Sequence, residues 1–317
     1  MQVFRALDQI PPDFGPSAVA IGKFDGVHAG HRAVIETLAA VASARGLVSA
    51  VLTFDRNPLS LLRPEICPEP LVSNAQKLDL LKATGIDATV MVEFDHEFAD
   101  LTPEEFARTI LVDALHASIV LIGSDFRFGA KGSGSVDTLR DFGTAYGFEV
   151  SVVADVTGGD ERRASSTWVR ELLSGGAVAE AATLLGHVPS IRSHVVHGAK
   201  RGRELGYPTA NLAPQIEGFV PRDGVYAAWL RVDGQRYGAA VSIGNNPTFD
   251  GVPDKQVEAH VLDQKLDLYD KTVELDFIEY IRPMNKFSGV EALVAQMGVD
   301  EERIRGILGY PPSSPRP

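Results

Sequence analysis

The spacing of hydrophobic positions changes once along this chain, and the change divides it. Up to about residue 154, short apolar runs alternate with stretches whose apolar residues recur every three or four positions, as strands and amphipathic helices do in turn. Ser17–Ile21 is a nearly unbroken apolar run and predicts a buried strand. Val34, Ile35, Leu38, Val41 and Ala42 follow with helical spacing, and Gly46 is placed to stop that helix. Further strands are predicted over 47–54, 88–93, 118–123 and 148–154. Ser73-Asn-Ala-Gln76 and Thr102-Pro-Glu-Glu105 have the form of capping boxes, the second with proline at the first helical position. This order predicts a parallel sheet covered by helices on both faces. After Gly186 the period becomes that of short strands, over 190–198, 224–232, 236–244, 257–263 and 272–281, with Asp233-Gly234 as a two-residue hairpin turn. A compact antiparallel barrel follows, then helices near 289–297 and 301–308 and a proline-rich tail at 311–317. The expected class is α/β plus β, with domains at 1–186 and 187–317.

Length agrees with two domains, since 317 residues exceed one ordinary core. The single cysteine, Cys67, rules out a disulfide framework and any multi-cysteine zinc site, and a reducing, cytoplasmic setting fits. No stretch approaches the length of a membrane span, and no targeting segment is visible. A formal net charge of −12 argues against a general nucleic-acid surface, which needs basic excess, but not against a nucleotide substrate.

Candidate chemistry is densest just after the first long strand. Gly22-Lys-Phe-Asp-Gly-Val-His-Ala-Gly-His31 sets two imidazoles three residues apart at a strand-to-helix junction. There the unpaired N–H groups and the helix dipole favour an anion. Gly22, Gly26 and Gly30 let backbone approach phosphate oxygens, and His28 and His31 add donors, which makes a triphosphate site. The dinucleotide fingerprint GxGxxG is absent, so hydride transfer is disfavoured. The plainer alternative is a helix that merely carries two histidines near its start. In an open parallel sheet, ligands collect beyond the carboxyl ends of the strands, so segments 22–30, 53–58 and 123–134 should converge.

Several ordered motifs resemble one family over essentially the whole chain. In the first half they are Gly22 to His31 as written above, Thr53-Phe-Asp55, Gly123-Ser-Asp-Phe-Arg-Phe-Gly129 and Ser165-Ser-Thr-Trp-Val-Arg170. In the second half they are Arg201-Gly-Arg-Glu-Leu-Gly-Tyr-Pro-Thr-Ala-Asn211, Asp223-Gly-Val-Tyr226, Asn246-Pro-Thr-Phe249 and Val257-Glu-Ala-His260. The chain resembles the bacterial bifunctional riboflavin kinase/FMN adenylyltransferases, the FAD synthetases. The resemblance implies a Rossmann-like nucleotidyltransferase domain with a parallel sheet, then a small Greek-key type β-barrel kinase domain. It also implies two ATP-consuming steps with Mg²⁺: riboflavin to FMN, then FMN to FAD. ATP, riboflavin, FMN and FAD are the expected partners, with neither nucleic acid nor membrane; the oligomeric state stays open, a homo-oligomer included.

Carried onto this sequence, the first site takes in Gly22, Phe24, Asp25, Gly30, Asn57, Asp125, Phe126, Lys131, Ser165, Ser166 and Thr167 around the catalytic candidates His28, His31 and Arg170. Asn57 stands where family members often carry histidine, so an amide replaces an imidazole beside the triphosphate; it donates a hydrogen bond but carries no charge. A kinase with a weak adenylyltransferase domain is the alternative this raises. For Ser166 and Thr167 the plainer reading is a helix cap. The attacking FMN phosphate is already an anion, so positioning and charge neutralisation can supply most of the acceleration.

The kinase step starts from a neutral hydroxyl and needs a base. Glu258 is the only acid inside its predicted strand, short of the terminal Asp263, and it projects with His260 on the face opposite Val257, Ala259 and Val261. A solvated strand face is the plainer alternative. Thr209 and Asn211 alternate to one side, where their oxygens can hold Mg²⁺ already bound to ATP. Gly202, Arg203, Pro208 and Asn246 complete the candidate nucleotide and flavin contacts. The basic run 198–203 is short and glycine-interrupted, so it suits a loop over nucleotide phosphate better than a nucleic-acid patch. His96, His116, His187, His194 and His197 lack ligand spacing and are assigned structural places, and Trp229 is assigned to the barrel core. A non-catalytic flavin- or nucleotide-sensing protein is the competing class.

Overall fold

The computed structural model describes residues 1–154, 162–198, 206–244 and 256–311. Contacts group the chain into two compact units, Met1–Ser166 and Thr167–Pro317.

The first unit is built on a six-stranded parallel sheet. Its strands are β1 (Gln2–Phe4), β2 (Ser17–Ile21), β3 (Val48–Phe54), β4 (Ala88–Val92), β5 (Ala117–Gly123) and β6 (Glu149–Val153), in the order β1-β4-β3-β2-β5-β6. Every residue of β2 is buried, because both faces are covered: Val19 and Ile21 join one core cluster, Ala18 and Ala20 the other. Helix α1 (Ala29–Arg45) lays Ile35, Leu38 and Ala42 on the second face and ends where Gly46 takes φ +64°. Strand order reverses about β2, whose neighbours are β3 on one side and β5 on the other. That reversal is the switch point where open α/β sheets place ligands.

Asn57 caps α2 (Pro58–Leu62), and the Ser73–Gln76 box opens α3 (Asn74–Lys82) with both reciprocal hydrogen bonds present. Asp95 caps α4 (His96–Asp100). The Thr102–Glu105 box likewise opens α5 (Pro103–Glu105), which continues as a π-helical stretch, Phe106–Ala114, burying Phe106, Ala107, Ile110 and Leu111. Ser135 caps α6 (Val136–Tyr146). Strand β1 was not predicted; at three residues it offers no period, and it exists because β4 has an open edge to pair, with Gln2 opposite Ala88.

The second unit is a closed antiparallel barrel of β7 (Ser190–Val196), β8 (Ala210–Leu212), β9 (Gly224–Val232), β10 (Gln235–Gly244), β11 (Gln256–Val261) and β12 (Thr272–Arg282), ordered β10-β11-β8-β7-β12-β9. Leu230, Val241, Ile243, Ala259, Leu275 and Phe277 are all buried in it. The β9–β10 turn is Asp233-Gly234, both with positive φ, as the two-residue hairpin requires. Two helices precede the barrel, α7 (Ser166–Gly175) and α8 (Val178–Leu185). Apart from Ser166 they group with it, whereas the sequence placed the domain boundary at 186: α8 packs on β12, and a Cβ on Gly176 would lie 3.2 Å from the Tyr280 ring.

Two expectations are corrected here. The C-terminal segment is one continuous helix, α9 (Val290–Leu308), not two, for Gly298 costs a helix only about 1 kcal/mol. Side-chain pairs hold its second half: Arg282 bonds Asp300 at 2.7 Å, and the buried Arg305 pairs with Glu301 at 2.9 Å and with Asp263. Trp229 is not core but half-buried on the barrel's outer side, with the Arg236 guanidinium 4.1 Å over its ring. Among the described residues, no helix is long and apolar enough to cross a membrane.

Candidate active sites

The loop after β2 is pinned from within. Phe24 and Val27 are buried at 2% and 0% exposure, and both adopt left-handed backbone, φ +48° and +41°. Such strain persists only where burial over-determines it. The chain thereby delivers His28 to the N-cap of α1, where its Nδ1 accepts the His31 backbone N–H at 3.4 Å. The two imidazoles stack with centroids 3.7 Å apart, and a Cβ on Gly30 would stand 3.2 Å from the His28 ring. Gly22 similarly faces the Phe24 ring, at 3.1 Å. These two glycines make room for aromatic rings as much as for a ligand.

Burial, then the charge of Arg163, pulls His28 down to about 4, against a smaller opposing backbone hydrogen bond. His31 is held well below the usual imidazole range by burial first, then by His28, Lys23, Lys77 and Arg163. Both are therefore neutral at pH 7. Since His28 Nδ1 is an acceptor, its proton sits on Nε2. His31 Nδ1 is buried and has no hydrogen-bond partner.

The neighbouring candidates differ in what their polar atoms already hold. Asp25 is a brace: its Oδ1 accepts the Leu71 N–H at 2.8 Å, and its carbonyl accepts the Ser166 hydroxyl at 2.9 Å. Thr53, fully buried, ties the end of β3 to the Lys23 carbonyl at 3.1 Å. Asn57 spends its Oδ1 on the Leu59 N–H, 3.1 Å, as the cap of α2, which leaves its amide N–H groups as donors. Asp125 is paired with Arg163 at 3.0 Å, and that bond holds its carboxyl below the usual range against partial burial. Phe126 stacks on Phe128 at 5.6 Å. Lys131 is exposed at φ +55° in a turn fixed by the Phe128–Gly134 bridge and by Ala130 N–H donating to the Leu101 carbonyl. Ser165 immediately precedes α7, Ser166 opens it, and Thr167 and Arg170 follow on that helix as part of the second unit. Two cations that act on the His31 ring were not among the sequence candidates, Arg163 and Lys77. Arg163 stands just before the Ser165 motif, while Lys77 gave no signal, since a lysine on a helix reads as solvated.

In the barrel, Glu258 on β11 lies between Asn211 of β8 and Ser242 of β10 in register. Glu258, Thr209 and Asn211 are half-buried. Asn211 Nδ2 reaches the Thr209 carbonyl at 3.4 Å, and a Cβ on Gly198 would fall 2.4 Å from its amide carbon, so the chain passes directly over Asn211. His260 does project with Glu258 away from Val257 and Ala259, but it is buried: its Nδ1 meets the Pro208 carbonyl at 2.9 Å and its ring lies edge-on to Tyr207. Gly202, Arg203 and Asn246 lie outside the described residues. Among the described residues, no three His, Cys, Asp or Glu side chains group to hold a metal.

A parallel α/β unit with paired imidazoles at a helix start, followed by a closed barrel presenting a carboxylate beside hydroxyl and amide oxygens, defines a two-module enzyme of nucleotidyl and phosphoryl transfer. The family model described as FAD synthetase matches residues 10–168, and that described as riboflavin kinase matches 185–308. The chain belongs to the bifunctional riboflavin kinase/FMN adenylyltransferase family, and it makes FAD in two steps, phosphorylating riboflavin and then adenylylating FMN. The enzyme of that name from Listeria monocytogenes is 38% identical over 92% of both chains, and that from Escherichia coli 36% over 92% of both. A solved structure titled a macrolide-efflux protein, from Streptococcus pneumoniae, matches with TM-score 0.84 and 32% identity over 96% of this chain and 98% of that one. A kinase with a weak first domain is not favoured.

Proposed function

We propose that His28 and His31 hold the ATP triphosphate in the first unit while the FMN phosphate attacks. An FMN phosphate oxygen bonds to the α-phosphorus, the bond from that phosphorus to the bridging oxygen breaks, and pyrophosphate leaves. The stacked pair carries this reading, because a buried, unpartnered His31 Nδ1 at a helix N-terminus calls for a ligand. The imidazoles act as neutral donors, and Asn57 adds another from its amide. Arg170, one turn beyond Ser166 on α7, is the proposed cation of the Ser165-Ser166-Thr167 motif. Asp125 and Phe126 are assigned to the flavin side, and Lys131 to the phosphates.

In the barrel, Glu258 accepts the riboflavin hydroxyl proton as that oxygen attacks the γ-phosphorus and ADP departs. Thr209 and Asn211 suit Mg²⁺ that arrives with ATP: both are neutral oxygen donors, and the Nδ2 bond to Thr209 leaves Asn211 Oδ1 uncommitted. Such a cation neutralises phosphate charge. Pro208 is held by His260, which positions the segment. With one cysteine and net charge −12, the enzyme is read as cytoplasmic and acting on small molecules, not on nucleic acid.

Two variants test the assignment. With riboflavin, ATP and Mg²⁺, Glu258→Ala should form neither FMN nor FAD, yet still convert supplied FMN to FAD. His28→Ala should form FMN but little FAD. If both variants lost both reactions equally, or neither reaction, the assignment would fall.

A further inference from the structure

Lys77 is the only buried lysine among the described residues of the first unit, at 6% exposure on α3. Its Nζ donates to the Phe54 carbonyl at 2.8 Å, where β3 opens into the Asp55–Asn57 segment. Among the described residues it forms no ion pair with a carboxylate within 4 Å; Asp25 and Asp55 act on it only at longer range. An ammonium has three N–H donors, so two are left over in a place that water does not reach freely. Burying a cation without a counter-ion is costly, and a neutral amide would satisfy a carbonyl equally well. The groups facing it are Asp25 from the loop after β2, Asp55 from the exit of β3 and His31 from α1. A buried cation that has two donors to spare and only longer-range carboxylates beside it, at two ligand loops, is what an incoming polyanion would offset.

We propose that Lys77 is a positioning residue of the adenylyltransferase site, its buried ammonium supplying a fixed positive charge beneath the loops that take the triphosphate and release pyrophosphate. This rests on the triphosphate reading of His28 and His31. Lys77 acts through the Phe54 carbonyl and its field, and it leaves the kinase reaction alone. Burial lowers its pKa from the usual lysine value, against Asp25 and Asp55, so the charge is lost as pH rises through that lowered value.

The test is FAD formation from FMN and ATP by full-length Lys77→Gln, Lys77→Met and Lys77→Arg, followed from neutral to alkaline pH, with riboflavin phosphorylation measured on the same preparations. Gln and Met should lower adenylylation kcat by about a hundredfold, the scale of losing one electrostatic partner of a reacting phosphate. Arg should restore most of it, and the alkaline decline of the wild type should vanish in Gln. Wild-type turnover in Gln overturns the proposal. So does a slow Gln variant that keeps the wild-type alkaline decline and is not rescued by Arg, which marks a purely structural staple. If Met fails to fold, Gln and Arg decide. Normal turnover in Lys77→Gln beside loss in His28→Ala sinks the lysine's role and leaves the site standing; full activity in His28→Ala sinks the site itself.

Discussion

Lowering the pH should destabilise the first unit well before its carboxylates titrate, and His28 sets the size of the effect. Its folded pKa of about 4 lies below the ordinary imidazole value of 6.5, so the unfolded chain binds the proton more tightly. Stability is therefore fully present above 6.5 and is lost as pH falls toward 4. Integrating between those values gives about 2 kcal/mol lost at pH 5 and about 3 kcal/mol in all, with His31 adding in the same direction. His28 is 7% exposed, so solvent screening takes little of this away. The assay must follow the correct half of the molecule. Both tryptophans, Trp168 and Trp229, belong to the second unit, so their fluorescence reports the barrel. Amide exchange of β2 and β3 at pH 7.5 and 5 follows the sheet instead. His28→Gln should flatten the pH dependence of that protection. An unchanged slope between wild type and variant would refute the assignment of a suppressed proton to His28.

Gly30→Ala should displace the His28 ring, since the new Cβ would sit 3.2 Å from it, and should lower FAD formation from FMN while FMN formation from riboflavin continues. Equal rates for both reactions in the variant would count against it. Arg305→Met should destabilise the barrel by about 3 kcal/mol, because it removes the guanidinium that pairs with Glu301, 4% exposed, at 2.9 Å. Here Trp229 fluorescence is the right probe, and the urea midpoint should drop.

Elements whose residues obey one local rule were legible in the sequence. The unbroken apolar run of β2, the two capping boxes, the Gly46 stop and the Asp233-Gly234 turn each follow from chemistry within a few positions. What was illegible depends on distant partners. Strands β1 and β8 have three residues apiece and exist because β4, and β7 with β11, offer edges. The run of α9 through Gly298 depends on Asp300 and Arg305 finding Arg282 and Asp263 across the barrel. Site residues divide in the same way. His28 and His31 announced themselves by spacing, but the bracing of Asp25 needs Leu71 and Ser166, which no window of sequence joins.

The described residues of the two sites offer phosphate different groups, and this bears on how one enzyme uses ATP twice. Around His31, the first unit gathers Lys23, Lys77 and Arg163, whose charges help keep that imidazole neutral, and Arg163 does the same for His28. On the proposed assignment a triphosphate there would meet fixed cations that cost no proton uptake, so its capture should depend weakly on pH across the neutral range. In the barrel, by contrast, the candidates described are a carboxylate, Glu258, beside the neutral oxygens of Thr209 and Asn211. A carboxylate poised to take a proton repels bare triphosphate, and a divalent cation on the nucleotide removes that repulsion. Chelating the metal with EDTA should therefore stop FMN formation more completely than it weakens ATP binding to the first unit, read as the part of equilibrium ATP binding that His28→Ala loses. Equal loss in both would mean that the fixed cations of the first unit do not carry the triphosphate.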